Sequence, residues 1–215
     1  MANRQLEAVE TCVSAERLAP YRRTCGGDLA AAITLYKWNA AVSGALWVDL
    51  GHVEVLVRNT MHVQLTKWSA RCFGEPHWYL DPGKLFSPQT AADVDTARAR
   101  LTRAGKPDHP GRVVAELSFG FWRFLAAGHY ELSLWRTCLY KGFPGQGRRR
   151  PLHDRLAALH DLRNRIAHLE PIHSRPLRKL YVTILTVADW INPAMRQWVA
   201  EQSTVSAQLP DRPAP

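Results

Sequence analysis

The chain has 215 residues, 46% of them hydrophobic and eight of them tryptophan, which is enough apolar material for one domain with its own core. Basic residues outnumber acidic ones by 28 to 19, so the net charge of +9 favours an anionic partner such as nucleic acid. The segment from Lys141 to Lys179 holds ten basic and three acidic residues and carries +7 of that charge. A solvated basic surface without a partner is the alternative interpretation.

Several classes of protein are disfavoured. Glu7 and Glu10 interrupt any signal-peptide core, and the apolar stretch 181–191 is too short to span a membrane and contains Asp189. We therefore expect a cytoplasmic protein without a membrane partner. No P-loop, GxGxxG, HExxH or GxSxG motif occurs. The four cysteines, Cys12, Cys25, Cys72 and Cys138, form no CxxC pair, which favours reduced thiols that mostly fill the core.

The first third of the chain is predicted to be helical. Residues 5–23 favour one or two short helices with a break near Leu18, because Pro20 follows. Asp28 is the predicted N-cap of a helical region that extends from Leu29 to about Trp68. Gly44 and the step at 49–51 would either kink this region or split it into two helices.

Three polar residues at four-residue spacing, Glu54, Arg58 and His62, form a stripe along the second half of that region. An exposed, salt-bridged face is the simpler interpretation. A stripe that faces a functional site is the alternative, and it makes Glu54 and Arg58 candidate substrate-binding residues.

The middle of the chain begins with a loop at 73–86, and Ser87-Pro88 then starts a helix that runs to about Ala104. His109 to Ala127 is a new apolar segment that Glu116 and Ser118 interrupt. A further helix is predicted over 129–140. A flexible basic loop follows at 142–150, where three consecutive arginines are either phosphate contacts or a solvated tip: Arg148, Arg149 and Arg150.

The last third is predicted to contain the central helix and one more core helix. Pro151 opens the central helix, whose buried face is formed by Leu152, Leu156, Leu159, Leu162 and Ile166. Residues 177–190 form the next helix, and 193–200 add one or two turns. No segment shows sustained strand alternation. We predict an all-α fold with a single domain over 1–202 and a disordered tail over 203–215.

The sequence DLRNRIAHLEPI, residues 161–172, places chemically useful groups at the end of the central helix. Arg163 stays charged and can bind two phosphate oxygens, Asn164 can hydrogen-bond, and His168 titrates near neutral pH. These groups suit RNA cleavage without a metal. The alternative is that Arg163 and His168 are cations favoured by the C-terminal end of the helix dipole.

Helix geometry and ligand spacing constrain the chemistry of this motif. On an ideal helix Arg163 and His168 lie about 140° apart, whereas Asn164 and His168 share a face. A distorted last turn, or two chains completing one site, would relax this constraint. The histidine spacing disfavours a metal site formed by His153, His160, His168 and His173. We interpret His153 and His160 as surface or edge residues, and we expect neither a metal nor another cofactor.

The segment RNRIAH, residues 163–168, resembles the Arg-to-His motif of HEPN-superfamily ribonucleases, in which a polar residue follows the arginine. LRNRIAHLEPI, EVLVRNTMH at 54–62 and ELSFGFWRFL at 116–125 are together similar to the Abi-like (abortive infection) branch of that superfamily. The opening RLAPYRRTCGGDLAAAITLYKWN is similar to actinobacterial Abi-like proteins. The resemblance covers roughly residues 16–200.

The resemblance implies a HEPN-like helical bundle with additional helices, which acts as a homodimer and cleaves RNA without a metal. It implies a role in antiphage defence or toxin–antitoxin growth arrest, with an antitoxin or a phage-derived trigger as a further partner. Arg163 and His168 take the catalytic positions and Asn164 the polar one, and Arg165 is a candidate substrate contact. Leu169 stands where many relatives have a second histidine. The tyrosine that follows the histidine in one toxin branch is also missing.

Three functions are consistent with the sequence. The first is the endoribonuclease, with Glu54, Arg58 and Glu116 as further candidates around its site. The second is a non-catalytic RNA-binding or regulatory module that uses the basic 141–179 surface, whose affinity for RNA would fall steeply with salt. The third is a helical partner protein with exposed tryptophans at its interface.

Overall fold

The computed structural model describes residues 2–213, and for Ala2 and Asn3 it describes the backbone alone. It is all-α, as predicted, and the described residues contain no strand. Ten α-helices follow one another along the chain: α1 Ala2–Val13, α2 Ala15–Thr24, α3 Leu29–Phe73, α4 Pro88–Arg103, α5 Pro110–Glu116, α6 Phe119–Leu125, α7 Arg149–Ala167, α8 Leu177–Ile191, α9 Pro193–Gln202 and α10 Val205–Gln208.

Helix α3 is the central element of the fold. It has 45 residues and therefore spans about 67 Å at 1.5 Å per residue. Neither Gly44 nor the 49–51 step breaks it, because the buried face continues through both positions, from Ala32 to Ser69. Asp28 caps it as predicted, with its carboxylate accepting from the backbone N–H of Ala31 at 3.0 Å. Helices α2, α6, α7, α8 and α10 all pack against it.

By length and composition α3 is long and apolar enough to cross a membrane. The core helix of a soluble protein meets the same criterion. Cytoplasmic localisation therefore stays a prediction.

The break in the N-terminal region lies at Ser14, so the prediction of a break near Leu18 is wrong. Ser14 adopts a φ of 84° and caps α2 by accepting from the backbone N–H of Arg17 at 3.2 Å. Pro20 lies inside α2. A serine that both caps a helix and turns the chain therefore ends α1 before the proline is reached.

Residues 128–142 do not form the predicted regular helix. A 3-10 turn at Gly128–Tyr130 leads into a π-helical turn at Glu131–Trp135, and a second 3-10 turn covers Leu139–Gly142. Contacts from distant parts of the chain impose this geometry. The Tyr130 hydroxyl lies 2.7 Å from Thr90 Oγ1, and the Glu131 carboxylate accepts from Arg149 Nε at 2.8 Å.

The C-terminal segment is partly ordered, and the prediction of a disordered tail from residue 203 is wrong for residues 203–209. Helix α10 buries Val205 completely. Trp38 Nε1 donates to the carbonyl of Gln208 at 2.8 Å, and Ser203 Oγ donates to Asp49 Oδ2 at 2.6 Å. A polar segment thus packs on α3 through one apolar side chain and two hydrogen bonds. Met1 and residues 214–215, which the predicted domain and tail include, lie outside the described residues.

Val205→Ala should lower the free energy of unfolding by about 2 kcal/mol, because it removes two methyl groups from a fully buried side chain. Urea unfolding measures the change. Ser206→Ala, at an exposed position on the same helix, is the control and should stay within about 0.5 kcal/mol of the parent. Equal stability of the two variants would show that α10 does not contribute to the fold.

Asp49 should make the protein less stable as pH rises. Burial raises the pKa of its carboxyl above the ordinary 3.8, so the folded chain retains this proton to higher pH than the unfolded chain does. The free energy of unfolding therefore falls as pH rises through the interval between the two pKa values. Asp49→Asn should match the parent at acidic pH and exceed it at neutral pH in urea unfolding.

The control for this measurement is Asp95→Asn, at an exposed position on α4. A stability difference for Asp49→Asn that stays constant from pH 3 to pH 7 would contradict the expected titration.

Candidate functional site

The last turn of α7 holds His168 at the helix C-cap, where the residue is exposed. The chain leaves the helix through a Schellman motif: the N–H of Leu169 donates to the carbonyl of Ile166 at 2.9 Å, and that of Glu170 to Arg165 at 2.7 Å. Leu169 takes the left-handed position of this motif, with a φ of 58°. Glycine normally fills that position, and a leucine there is strained by about 1–2 kcal/mol.

Further contacts hold this strained turn in place. The guanidinium of Arg17, on α2, donates to the carbonyl of Leu169. Arg165 Nη1 binds Glu170 Oε2 at 2.9 Å, and its Nε lies 3.5 Å from Asp161 Oδ2. Arg165, a predicted substrate contact, is therefore already paired. The turn that presents His168 is fixed from both sides, whereas no side chain among residues 4–213 hydrogen-bonds to the imidazole itself.

Arg163 points toward α3 instead of toward His168. Its guanidinium carbon lies 5.3 Å from the centre of the Trp47 ring, and its Nε lies 3.9 Å from Glu54 Oε2. That Nε is buried without a hydrogen-bond partner, while the side chain as a whole stays about one-third exposed. Part of the guanidinium therefore remains free to bind an anion.

The polar stripe on α3 contributes to the same cluster through two of its three residues. Burial raises the pKa of the Glu54 carboxyl, and the charges of Arg163 and Arg58 oppose that rise. Arg58 Nε is also buried without a hydrogen-bond partner. One carboxylate thus faces two guanidinium groups, which leaves an excess of positive charge. Of the two interpretations of the stripe, the structure favours the one in which Glu54 and Arg58 face the motif helix.

His62, the third member of the stripe, has a different role. Its Nδ1 accepts from Trp78 Nε1 at 2.9 Å. Burial lowers the pKa of this imidazole, so the neutral ring acts as a hydrogen-bond acceptor in the core.

His160 is a site residue that the sequence argument missed. Asn164 Nδ2 lies 3.3 Å from His160 Nε2, and the imidazole packs edge-on to the Phe119 ring on α6. Burial lowers its pKa, and the nearby charges of Arg123 and then Arg163 lower it further. His160 is half-buried, which agrees with its interpretation as an edge residue, but its contacts with Asn164 and Phe119 were not anticipated. The sequence feature that could have identified His160 is its spacing of four residues from Asn164 and eight from His168, which places all three on one face of the helix.

Asn164 therefore lies between His160 and His168 along one face of α7, and its side chain contacts His160. The structure brings Arg163, Asn164, His160, Glu54 and Arg58 together. It places His168 at the end of the same helix face, on the other side of the turn from Arg163.

The remaining predicted residues lie elsewhere. Arg149 has an internal role that neither interpretation of the arginine run anticipated: it binds Glu131 at 2.8 Å and the carbonyl of Ala126 at 2.7 Å. Arg150 is highly exposed and lies 3.8 Å from Asp154, and Arg148 precedes α7.

Glu116 lines a separate depression, with Leu101, Lys106 and Arg112. Within residues 2–213 no ion pair or hydrogen bond joins it to the motif.

A groove of about 440 Å³ lies beside the motif, between α2, α3 and the end of α7. Tyr36, Trp47 and Leu169 give it apolar walls. The Tyr21 hydroxyl and Ser43 Oγ are buried along it without hydrogen-bond partners. Burial raises the pKa of Tyr21 to about 12, so this hydroxyl stays protonated as a donor. The groove and the cluster together offer cations, hydrogen-bond donors and a flat apolar wall next to His168.

Within residues 2–213, no group of three or more His, Cys, Asp and Glu side chains is arranged to hold a metal ion. The side chains of this arrangement can bind an anion through guanidinium groups and transfer a proton through imidazole.

No protein-family model, curated protein or solved structure matches the chain.

Arg163→Ala should raise the pKa of His160 by a small amount, because Arg163 is one of the charges that disfavour its protonation. An NMR titration of the imidazole proton signals measures this. Arg155→Ala is the control: this arginine is on the same helix, but its guanidinium carbon lies 4.4 Å from the centre of the Trp190 ring. A His160 pKa that is unchanged in Arg163→Ala, or raised equally in the control, would place Arg163 outside the cluster.

Proposed function

We propose that this chain is a metal-independent endoribonuclease of HEPN type, which acts as a homodimer in antiphage defence or toxin–antitoxin growth arrest. The observation that carries the proposal is the end of α7. There a partly exposed Arg163, whose Nε is buried without a hydrogen-bond partner and lies 3.9 Å from Glu54 Oε2, is followed five residues later by an exposed His168. The motif resemblance to Abi-like proteins supports the same function.

The proposed reaction uses proton transfer and charge stabilisation alone. An imidazole takes the proton of the RNA 2′-hydroxyl, and the 2′-oxygen attacks the adjacent phosphorus. The bond between phosphorus and the 5′-oxygen breaks, an imidazolium gives its proton to the leaving 5′-oxygen, and a 2′,3′-cyclic phosphate end remains. His168 is the acid or base, because imidazole can donate and accept protons near neutral pH. Arg163 binds the phosphate oxygens as negative charge develops on them. Asn164, Glu54 and Arg58 position these groups.

The geometry favours a site that two chains complete. Arg163 contacts Trp47 and Glu54 on α3, and helical spacing places it about 140° around α7 from His168. A single chain therefore does not bring the two residues onto one face of the helix. Two large apolar side chains beside them are exposed: Trp47 by 43% and Leu169 by 71%. Contact with a second copy would cover these side chains. It would also place the His168 of one chain opposite the Arg163 of the other.

A non-catalytic RNA-binding module is the second candidate. The observation that favours it is the engagement of Arg163 with Glu54 and Trp47, which gives this arginine a structural role that needs no chemistry. In that case the exposed part of the basic 141–179 surface would bind RNA phosphates, and loss of His168 would change nothing.

Cleavage of mixed structured RNAs in EDTA tests the first proposal. The parent should leave 2′,3′-cyclic phosphate ends, and Arg163→Ala or His168→Ala should slow cleavage by on the order of 10²–10³-fold while RNA binding persists. Arg155→Ala and His153→Ala are matched controls on the same helix and should cleave like the parent. Unchanged cleavage in His168→Ala with loss in His160→Ala would transfer the catalytic role to His160.

Mixing the two inactive variants tests the shared site. If Arg163 of one chain serves His168 of the other, a mixed dimer has one intact site, and an equimolar mixture should recover about one quarter of the parent rate. No recovery, although mixed dimers form, would mean that both residues act within one chain. RNA binding without cleavage by the parent would favour the binding module.

A further inference from the structure

A second groove lies at the N-terminal end of α8 and shares no lining residue with the groove beside the α7 motif. Its volume is about 560 Å³, within the range of small-molecule sites. The apolar part of its wall consists of Trp38, Leu177, Val182, Leu209 and Pro176. We call it the α8 groove.

The charged part of the wall is entirely cationic and consists of Arg175, Arg178, Lys179 and Arg212. Arg175 binds the carboxylate of Asp161. The other three make no ion pair within residues 2–213. Three like charges at one groove repel each other, and an anion would relieve that repulsion.

The backbone adds to this positive field. Helix α8 starts after Pro176, has no side-chain N-cap and has no acidic residue in its first turn. The backbone N–H groups of Arg178 and Lys179 therefore have no acceptor within the described chain. Free N–H groups at a helix N-terminus bind phosphate or carboxylate oxygens.

An independent observation comes from His173, which also lines the groove and is only 4% exposed. Its Nε2 lies 3.0 Å from Thr24 Oγ1, and that hydroxyl donates its own hydrogen to the carbonyl of Pro20 at 3.1 Å. Thr24 must therefore accept from His173, which places the ring proton on Nε2. Nδ1 is then an acceptor in the neutral ring, and it is buried without a partner.

These features fit a ligand with three parts. An anionic group would bind the cations and the backbone N–H groups of α8, a flat apolar body would pack on the apolar wall, and a hydrogen-bond donor would bind His173 Nδ1. We propose that the α8 groove binds a small phosphate monoester whose flat ring carries an N–H or O–H group. The proposal does not depend on RNA cleavage, because none of these residues belongs to the α7 motif.

Calorimetry of the full chain at low salt tests the proposal with two probes, adenosine monophosphate and 4-aminophenyl phosphate. Both should bind with one site per chain. Adenosine and 4-aminophenol lack the anionic group, and inorganic phosphate lacks both the flat ring and the donor that it carries. Each of the three should bind about tenfold more weakly or worse. In NMR spectra the Nδ1 resonance of His173 should shift during either titration.

Two variants locate the site. Val182→Trp fills the groove from a half-exposed position and should abolish binding. Val55→Trp, at a similarly exposed position on α3 outside the groove, is its control. Replacing both Arg178 and Lys179 with alanine should weaken binding by about tenfold or more, whereas Arg196→Ala, exposed on α9, should not. Thermal unfolding confirms that each variant is folded.

Absence of binding by both probes at millimolar concentration would overturn the proposal, as would binding that survives Val182→Trp. Loss of RNA affinity in Val182→Trp, without any binding of the two probes, would assign the groove to the path of RNA instead. RNA cleavage by the Val182→Trp variant is measured in parallel, so failure at the groove is distinguished from failure of the proposed ribonuclease site.

Discussion

The continuous burial of one face of α3 is the constraint on which the rest of the structure depends. Because buried side chains line that face from Ala32 to Ser69, helices α2, α6, α7, α8 and α10 dock along a single 45-residue axis. This fixes where polar residues on the remaining faces can meet. Glu54 meets Arg163 because α7 packs against α3. The candidate site is thus a consequence of helix packing and needs no loop to assemble it.

The end of α7 shows how the chain retains a strained feature next to this cluster. A leucine in a left-handed conformation costs about 1–2 kcal/mol and leaves 71% of its side chain in water. Neither property stabilises an isolated chain. The Arg17 contact and the Arg165–Glu170 pair nevertheless hold the turn. An unfavourable residue held by several contacts beside an exposed histidine fits a surface that a partner or substrate covers.

Much of the fold was predictable from periodicity, since buried leucines at helical spacing mark α7 and the Asp28 cap marks the start of α3. The failures occurred where distant contacts override local preference. The π-helical turn after Tyr130 depends on Thr90 and Arg149, and the ordered segment around Val205 depends on α3. At the site the motif residues were visible, but the role of His160 depends on its neighbour Phe119 from α6. A single helix pattern does not contain that contact.

The basic residues behind the net charge of +9 do not form the single uniform surface that the sequence suggests. Arg149 forms an internal ion pair with Glu131, and Arg165 forms an ion pair with Glu170 at the end of α7. Arg58 and Arg163 form one group of cations on α3 and α7, and the wall of the α8 groove holds another with Arg178, Lys179 and Arg212. An anion is favoured most close to such a group, because charges more than about 10 Å apart are largely screened at 0.1 M ionic strength. Since the two groups share no residue, substitutions can remove the charge of one and leave the other intact.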